Sequence, residues 1–311
     1  MRGVRCPRHR TRPGVPDHPA RSYPHGGPCR LDAGRRAEGA GVTPHALRLP
    51  DYAVHHPAGG SRERTVFLLH GAFGAKEYWR SQVQALTGAG WRVVSWDAPG
   101  YGLSALPVPL TIDHAARALG LLLEREGGAC NVVMGHSMGG MIAQQAWRHA
   151  RQRIHGYVLS ATSASFGSPD GEWQKEFVRA RVAPLDAGRS IPDYAPDMLR
   201  GMMAPGAGGP AVDLLIGTVS QMREETFRAA VAAIVGFEGR DLLPTLDVPV
   251  LCVAGEHDAT APAAVMQKMA GKITGAEFIS LSGLGHFGWA EDPPRFNAAV
   301  IEFLARHFPQ P

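Results

Sequence analysis

From residue 46 onward, short runs of apolar residues alternate with longer stretches whose apolar side chains recur every three or four positions. Thr65-Val66-Phe67-Leu68-Leu69 is a continuous β-type run, and residues 76–89 then show helical spacing through Trp79, Val83 and Leu86. Arg92-Val93-Val94-Ser95-Trp96 is a second run, followed by a helix over 112–126 with Ala115, Leu119, Leu122 and Leu123 on one face. Residues 131–134 and 154–160 read as further strands on either side of a helix over 138–149. Runs that are apolar throughout, instead of alternating, mark a sheet buried on both faces. With helices between them they predict an α/β fold built on a mostly parallel, doubly wound sheet.

The rhythm breaks near residue 161 and resumes with a strand over 250–254, a helix over 262–273, a strand over 277–281 and a helix over 293–307. Residues 161–240 read instead as helices (172–181, 198–203, 212–221 and 224–235) separated by Pro- and Gly-rich turns. An insertion that follows a strand of an α/β sheet lies near the strand ends, where it forms a cap or lid. Met198, Met202, Met203 and Met222 either line a pliable pocket there or pack the cap onto the core. The expected organisation is an extension over 1–45, a core over 46–160 and 241–311, and a helical cap over 161–240.

Charge sharpens this division. Of the 311 residues, 32 are basic and 28 acidic, but residues 1–48 hold ten Arg and three acids, a net +7. The remainder is mildly acidic, so the body has no footprint for nucleic acid. The Arg-, Pro- and Gly-rich extension has too few aliphatic residues to bury a core. It reads as a disordered extension or an over-called start, with a true start near Val42; a targeting segment or a basic nucleic-acid arm are the other readings. No uncharged apolar run approaches the roughly 18 residues a membrane span needs. Cys6, Cys29, Cys130 and Cys252 show no metal-ligand spacing and no disulfide framework, which points to a cytoplasmic protein. Oligomeric state is not indicated.

The chemistry centres on Gly135-His136-Ser137-Met138-Gly139-Gly140, between an apolar strand and an amphipathic helix. This is the strand–turn–helix setting of a G-x-S-x-G nucleophile elbow, in which a strained serine stands at the sheet tip and small neighbours admit the sharp turn. The Met138 N–H opens the helix and suits an oxyanion. A serine needs a base, and the chain order that accompanies this elbow is serine, acid, histidine. Asp258 follows the strand over 250–254 and is the expected acid, with Glu256 and Asp247 as alternatives. His286 follows the strand over 277–281 and is the expected base. The loop Leu69-His70-Gly71-Ala72-Phe73-Gly74 supplies the second oxyanion donor, assigned to the Ala72 N–H with Phe73 as competitor, while His70 orders the loop. Asp97-Ala98-Pro99-Gly100-Tyr101-Gly102-Leu103-Ser104 reads as a rigid turn and not a phosphate loop.

Together these motifs resemble the α/β-hydrolase superfamily over residues 46–308. The cap, the Ala254-Gly255-Glu256-His257-Asp258 stretch and the Gly283-Leu284-Gly285-His286 turn look most like the branch of 3-oxoadipate enol-lactonases and meta-cleavage-product hydrolases. The resemblance implies a serine hydrolase acting on a small carboxylic ester or lactone, with no metal and no organic cofactor. Alternatives on the same scaffold are C–C bond hydrolysis of a dienone acid, for which Arg179, Arg181 and Arg200 are candidate carboxylate ligands, a cofactor-free peroxidase or oxygenase, and a ligand-sensing homologue. Haloalkane dehalogenases and epoxide hydrolases carry Asp at the elbow, so Ser137 argues against them. Phe73 and Trp289 are expected to shape the pocket; Trp289, a bulky aromatic that departs from the enol-lactonase pattern, either does so or only packs the C-terminal helix.

Overall fold

A computed structural model describes residues 47–60 and 63–309. The extension expected over 1–45, with Cys6 and Cys29, lies outside the described residues. Seven strands among those described form one sheet: β1 (Tyr52–His55), β2 (Arg64–Leu69), β3 (Arg92–Trp96), β4 (Cys130–His136), β5 (Gly156–Ser160), β6 (Val250–Gly255) and β7 (Glu277–Leu281). Their order is β1-β3-β2-β4-β5-β6-β7. β1 runs antiparallel to β3 and all other neighbours are parallel. Leaving β2, the chain first builds outward through β3 and then returns to place β4 on the other side. The crevice between the C-terminal ends of β2 and β4 is therefore the switch point where α/β sheets place ligands.

Helices α1 (Arg80–Gly88), α2 (Ile112–Glu126), α3 (Met138–Ala150), α8 (Ala263–Ala270), α9 (Gly288–Glu291) and α10 (Pro293–His307) flank the sheet, and α4 (Glu172–Asp186), α5 (Ile191–Arg200), α6 (Pro210–Val219) and α7 (Glu224–Val235) form the cap between β5 and β6. Val132, Val133 and Met134 of β4 are fully buried, as are Val66 to Leu69 of β2. That double-sided burial is the physical reason those runs lack alternation. Among the described residues no helix is long and apolar enough to cross a membrane.

Some elements differ from the periodicity. β1 is new: its four residues are all half-buried, so its sequence carries no apolar signal, and only its register against β3, Val54 opposite Val94, makes it a strand. The helix expected over 76–89 is a 3-10 turn over Lys76–Trp79 followed by α1. In the cap, α5 begins seven residues earlier than the apolar spacing suggests and closes with Arg200. A capping box explains the start: the Ser190 hydroxyl and N–H both meet the Asp193 carboxylate, with a proline in the first turn.

The loop after β3 is fixed by a buried charge. Asp97 is almost completely buried, and its Oδ2 meets Lys76 Nζ at 2.5 Å while its Oδ1 accepts the Lys76 N–H at 2.8 Å. Lys76 also reaches Asp51 at 2.8 Å. Burial alone would lower the Lys76 pKa, but the hydrogen bonds it donates to the Asp51 and Asp97 carboxylates outweigh it and raise it. Gly102 has φ +49°, and a Cβ there would lie 2.1 Å from Asp97 Oδ2, so the turn needs a glycine. Removing one partner of a buried pair strands the other charge, at a cost of about 3 kcal/mol. Lys76→Met is expected to lower unfolding stability by about that amount in urea titrations; an unchanged midpoint would show that Asp97 is held without it.

Candidate active site

β4 ends at His136 and α3 begins at Met138, leaving Ser137 alone in the turn with φ 53° and ψ −118°. A non-glycine residue there is strained and must be held by its surroundings. The Ser137 N–H donates to the Ser160 carbonyl at 2.9 Å, and the Ser137 carbonyl accepts the Gly140 N–H at 2.9 Å and the Thr162 hydroxyl at 2.7 Å. Neighbouring backbone approaches too closely for side chains: a Cβ on Gly135 would sit 2.3 Å from the Gly139 carbonyl oxygen, and one on Gly139 would sit 2.2 Å from that of Leu69. Thr162, which no motif marked, is the side chain that ties β5 to the elbow.

Asp258 and His286 follow β6 and β7, as their sequence positions predict. His286 Nδ1 and Asp258 Oδ2 are 2.8 Å apart, and both side chains are buried. Asp258 Oδ1 accepts the Thr260 and Ala261 N–H groups at 2.8 and 2.9 Å. Burial pushes the Asp258 carboxyl up, but the His286 charge and these hydrogen bonds overcome it and hold the pKa below the ordinary range. The alternative acids have other work. Glu256 accepts from the Ser282 hydroxyl and the Gly283 N–H, both at 2.8 Å, and Asp247 pairs with Arg151 at the surface.

The loop after β2 is braced from three sides. His70 Nδ1 contacts the Gly71 carbonyl at 2.8 Å and His70 Nε2 accepts the Ala98 N–H at 3.0 Å. An acceptor Nε2 makes the ring neutral with its proton on Nδ1. The Gly71 N–H donates to the Tyr78 hydroxyl and the Tyr101 hydroxyl donates to the Ala72 carbonyl, each at 2.9 Å. His70 thus orders the loop. A Cβ on Gly71 would lie 3.2 Å from Ser137 Cβ, which shows how closely the loop lies against the elbow. Among the described residues the Ala72 and Phe73 N–H groups have no protein acceptor, and Met138 is the first residue of α3, where N–H groups lack intrahelical partners.

Ser137 and His286 line one cavity of about 360 Å³. Its outer wall is aromatic and aliphatic: Phe166, Trp173, Phe177 and Ile234 from the cap region, with Met141 from α3. The pocket residues expected from the sequence are placed differently. Trp289 is completely buried and stacks on Tyr78 with centroids 4.2 Å apart and planes at 22°, so it supports the loop after β2 and does not line the cavity. Phe73 packs against Phe227 of α7 at 5.2 Å, between loop and cap, and does not line it either. Met198, Met202, Met203 and Met222 are likewise outside the lining and serve the packing of the cap. The aromatic wall was not anticipated; its signal was Phe166, Trp173 and Phe177 spaced along the start of the insertion.

Two buried polar groups stand beside the site. His136 is fully buried with neither ring nitrogen hydrogen-bonded to the described protein, and its ring centroid is 4.9 Å from that of His286. Burial, with the neighbouring His286 and His70, holds its pKa well below that of free histidine. Arg181 of α4 is also buried; it contacts the Phe177 carbonyl and lies 3.5 Å above the Phe177 ring, with no carboxylate in pairing distance among the described residues. Burial lowers its pKa to about 10. No cluster of three or more His, Cys, Asp or Glu that could hold a metal occurs among the described residues.

The buried histidines set a pH dependence. The unfolded chain takes up protons at His136 as pH falls through about 6.5, and the folded chain does not. Stability therefore declines on acidification below that point. His136→Phe is expected to shrink the loss of unfolding free energy between about pH 7 and 5, measured by denaturation at each pH; an unaltered slope would mean that His136 is protonated in the folded protein.

Comparison with known proteins places this arrangement. The family model of the α/β hydrolases matches residues 66–299. RutD of Variovorax paradoxus, which carries the name of a carbamate hydrolase, is 28% identical over 82% of this chain and 96% of its own. A 2-hydroxy-6-oxononadienedioate/2-hydroxy-6-oxononatrienedioate hydrolase of a Pseudomonas species is 26% identical over 82% of this chain and 92% of its own. Among solved structures, the enol-lactonase of Burkholderia xenovorans superposes with a TM-score of 0.70 at 25% identity, covering 82% of this chain and 95% of that one. With the family model spanning most of its length, the chain belongs to the α/β hydrolase family.

Proposed function

We propose that the protein is a serine hydrolase that cleaves a small carboxylic ester or lactone through an acyl-enzyme. The observation that carries this reading is the strained Ser137 sharing one cavity with His286, whose Nδ1 is engaged by a buried Asp258. With Nδ1 committed, His286 Nε2 takes the Ser137 Oγ proton as the oxygen attacks the substrate carbonyl. The negative charge on the tetrahedral intermediate is received by the Ala72 and Met138 N–H groups and by the positive end of α3. His286 returns the proton to the leaving alcohol, or to the ring oxygen of a lactone. A water then loses a proton to His286 and attacks the acyl carbonyl, and His286 gives that proton to Ser137 Oγ as the carboxylic acid product leaves. Asp258 stabilises the imidazolium formed at each stage without itself accepting the proton.

The cavity narrows the substrate. A space of about 360 Å³ walled by Phe166, Trp173 and Phe177 fits a compact apolar or aryl acyl group. The cap over 161–240 supplies that wall and acts as the lid. The enol-lactonase among the solved structures, which carries the name of a lactone-cleaving enzyme, supports this reading.

A second reading, a substrate bearing its own carboxylate, draws on Arg181, which lies outside the lining of the cavity but stacks on Phe177, a residue of its wall. A buried guanidinium without an acid partner is costly, and an anion beside Phe177 would complete it. C–C hydrolysis of a dienone acid uses the same triad and such a carboxylate.

Two outcomes test these readings. Wild-type protein should hydrolyse p-nitrophenyl acetate or butyrate, and Ser137→Ala should lower kcat by on the order of 10⁴- to 10⁶-fold; an inert wild type or an active variant removes the serine mechanism. Arg181→Met should raise KM for half-esters of dicarboxylic acids by roughly 10- to 100-fold, the range of one charge-assisted hydrogen bond, while leaving neutral esters unaffected. Equal effects on both substrates would refute the carboxylate role.

A further inference from the structure

The groups that fix His286 lie on both sides of its backbone. Glu291, the last residue of α9, accepts three N–H groups. Its Oε2 receives those of Gly285 and Ala204, each at 2.8 Å, and its Oε1 receives that of Phe287 at 2.9 Å. The two residues flanking His286 are therefore bound to one carboxylate. The N–H of His286 donates to the Met202 carbonyl at 2.9 Å. All three consecutive amides of the turn are engaged, and two of the four bonds reach the segment 202–204 that leaves α5 of the cap. Contact there is tight: a Cβ on Gly285 would lie 2.6 Å from the Ala204 nitrogen and 2.7 Å from the Met202 oxygen.

Glu291 has no Lys, Arg or His in pairing distance among the described residues. Its charge is spent on backbone donors, which form short, strong bonds to a carboxylate. A surface ion pair is thus not what the residue provides. Asp258 orients the His286 ring, but a ring is only as well placed as the backbone that carries it.

We infer that Glu291 is a positioning residue that holds the His286 backbone against the cap, so that the base of the reaction proposed above is assembled only with segment 202–204 in place. The inference rests on the serine-hydrolase reading. Its physical basis is tolerance: reacting groups displaced by about 1 Å lose on the order of 10²-fold in rate, and a site keeps that tolerance through its supporting hydrogen bonds.

The test compares Glu291→Gln and Glu291→Ala with wild type and with Glu256→Gln. Glu256 makes a similar carboxylate–amide contact in the same loop, to Ser282 and Gly283, without touching the residues beside His286. Glutamine retains one oxygen for the two donors now on Oε2 but presents an NH₂ to the Phe287 N–H. Expected values are a kcat on p-nitrophenyl butyrate lower by about 10-fold for Gln and about 100-fold for Ala, with KM within about threefold. Labelling of Ser137 by a fluorophosphonate should slow in the same order. Amide hydrogen exchange should rise at Ala204, Gly285 and Phe287 and stay unchanged in α2. Glu256→Gln should keep wild-type kcat.

A folded Glu291→Gln protein with faster exchange at those amides but wild-type kcat and labelling would overturn the inference. So would an equal loss in Glu256→Gln, which would make the effect one of general loop loosening. Should Ala fail to fold, the Gln variant carries the comparison alone. A wild-type protein that neither hydrolyses esters nor is labelled at Ser137 would instead defeat the serine-hydrolase reading itself.

Discussion

The structure depends on keeping Ser137 at a backbone geometry that L residues avoid. A residue at φ 53° and ψ −118° stores about 1 to 3 kcal/mol, and it persists only because relaxation is blocked in every direction. β4, in the middle of a parallel sheet, fixes the incoming chain, and α3 fixes the outgoing chain. Gly135 and Gly139 let the turn close on itself and on β2, where any side chain would force the strands apart. The Ser160 carbonyl and the Thr162 hydroxyl then hold the turn from β5. Ala161, beside them, also has a positive φ of 46° and lines the cavity. The strain is thus shared across two adjacent strand ends, which makes the floor of the cavity stiff.

That stiffness extends through the other strand ends. The loop after β2 is tied to the loop after β3 by the His70–Ala98 bond and the Tyr101–Ala72 bond, and the loop after β3 is anchored by Asp97 on Lys76. Beneath them, Tyr78, Trp79 and Trp289 pack ring on ring. Aromatic clusters of this kind bury large areas and resist shear. A loop so braced presents its N–H groups in fixed positions, which is what preorganised stabilisation of an oxyanion requires. The cap contrasts with this. Its contribution to the cavity is side chains, Phe166, Trp173, Phe177 and Ile234, and Trp173 remains about half exposed.

How much of this was legible follows from the range of each interaction. The parallel core was legible because double-sided burial writes itself into uninterrupted apolar runs such as Val66 to Leu69. The placement of Ser137, Asp258 and His286 was legible because each stands at a strand end, where position along the chain stands in for position in space. β1 was not, since half-buried Tyr52 to His55 has no period and owes its form to β3. The role of Trp289 was misjudged for a related reason: proximity to His286 in sequence suggested the pocket, whereas its ring turns to Tyr78, a residue more than two hundred positions away. Glu291 left only a faint mark, an acid closing the short apolar turn Gly288-Trp289-Ala290. Its three partners are backbone amides, which no side-chain pattern announces.

These ranges also explain a division of labour within the site. Ser137 and the loop after β2 are positioned chiefly by the sheet and its glycines, and they touch the insertion through the Thr162 hydroxyl on the Ser137 carbonyl and through Phe73 packed on Phe227 of α7. His286 is positioned by a side chain of the core, Asp258, and by backbone bonds to Met202 and, through Glu291, to Ala204. Ser137, the proposed nucleophile, thus belongs to the rigid half of the molecule, whereas His286, the proposed base, is shared between core and cap. The backbone around His286 is tied to the cap by more hydrogen bonds than Ser137, whose one such bond comes from Thr162 at the start of the insertion. Segment 202–204, which lies outside the lining of the cavity, is thus the part of this cap that is bound to the backbone around His286.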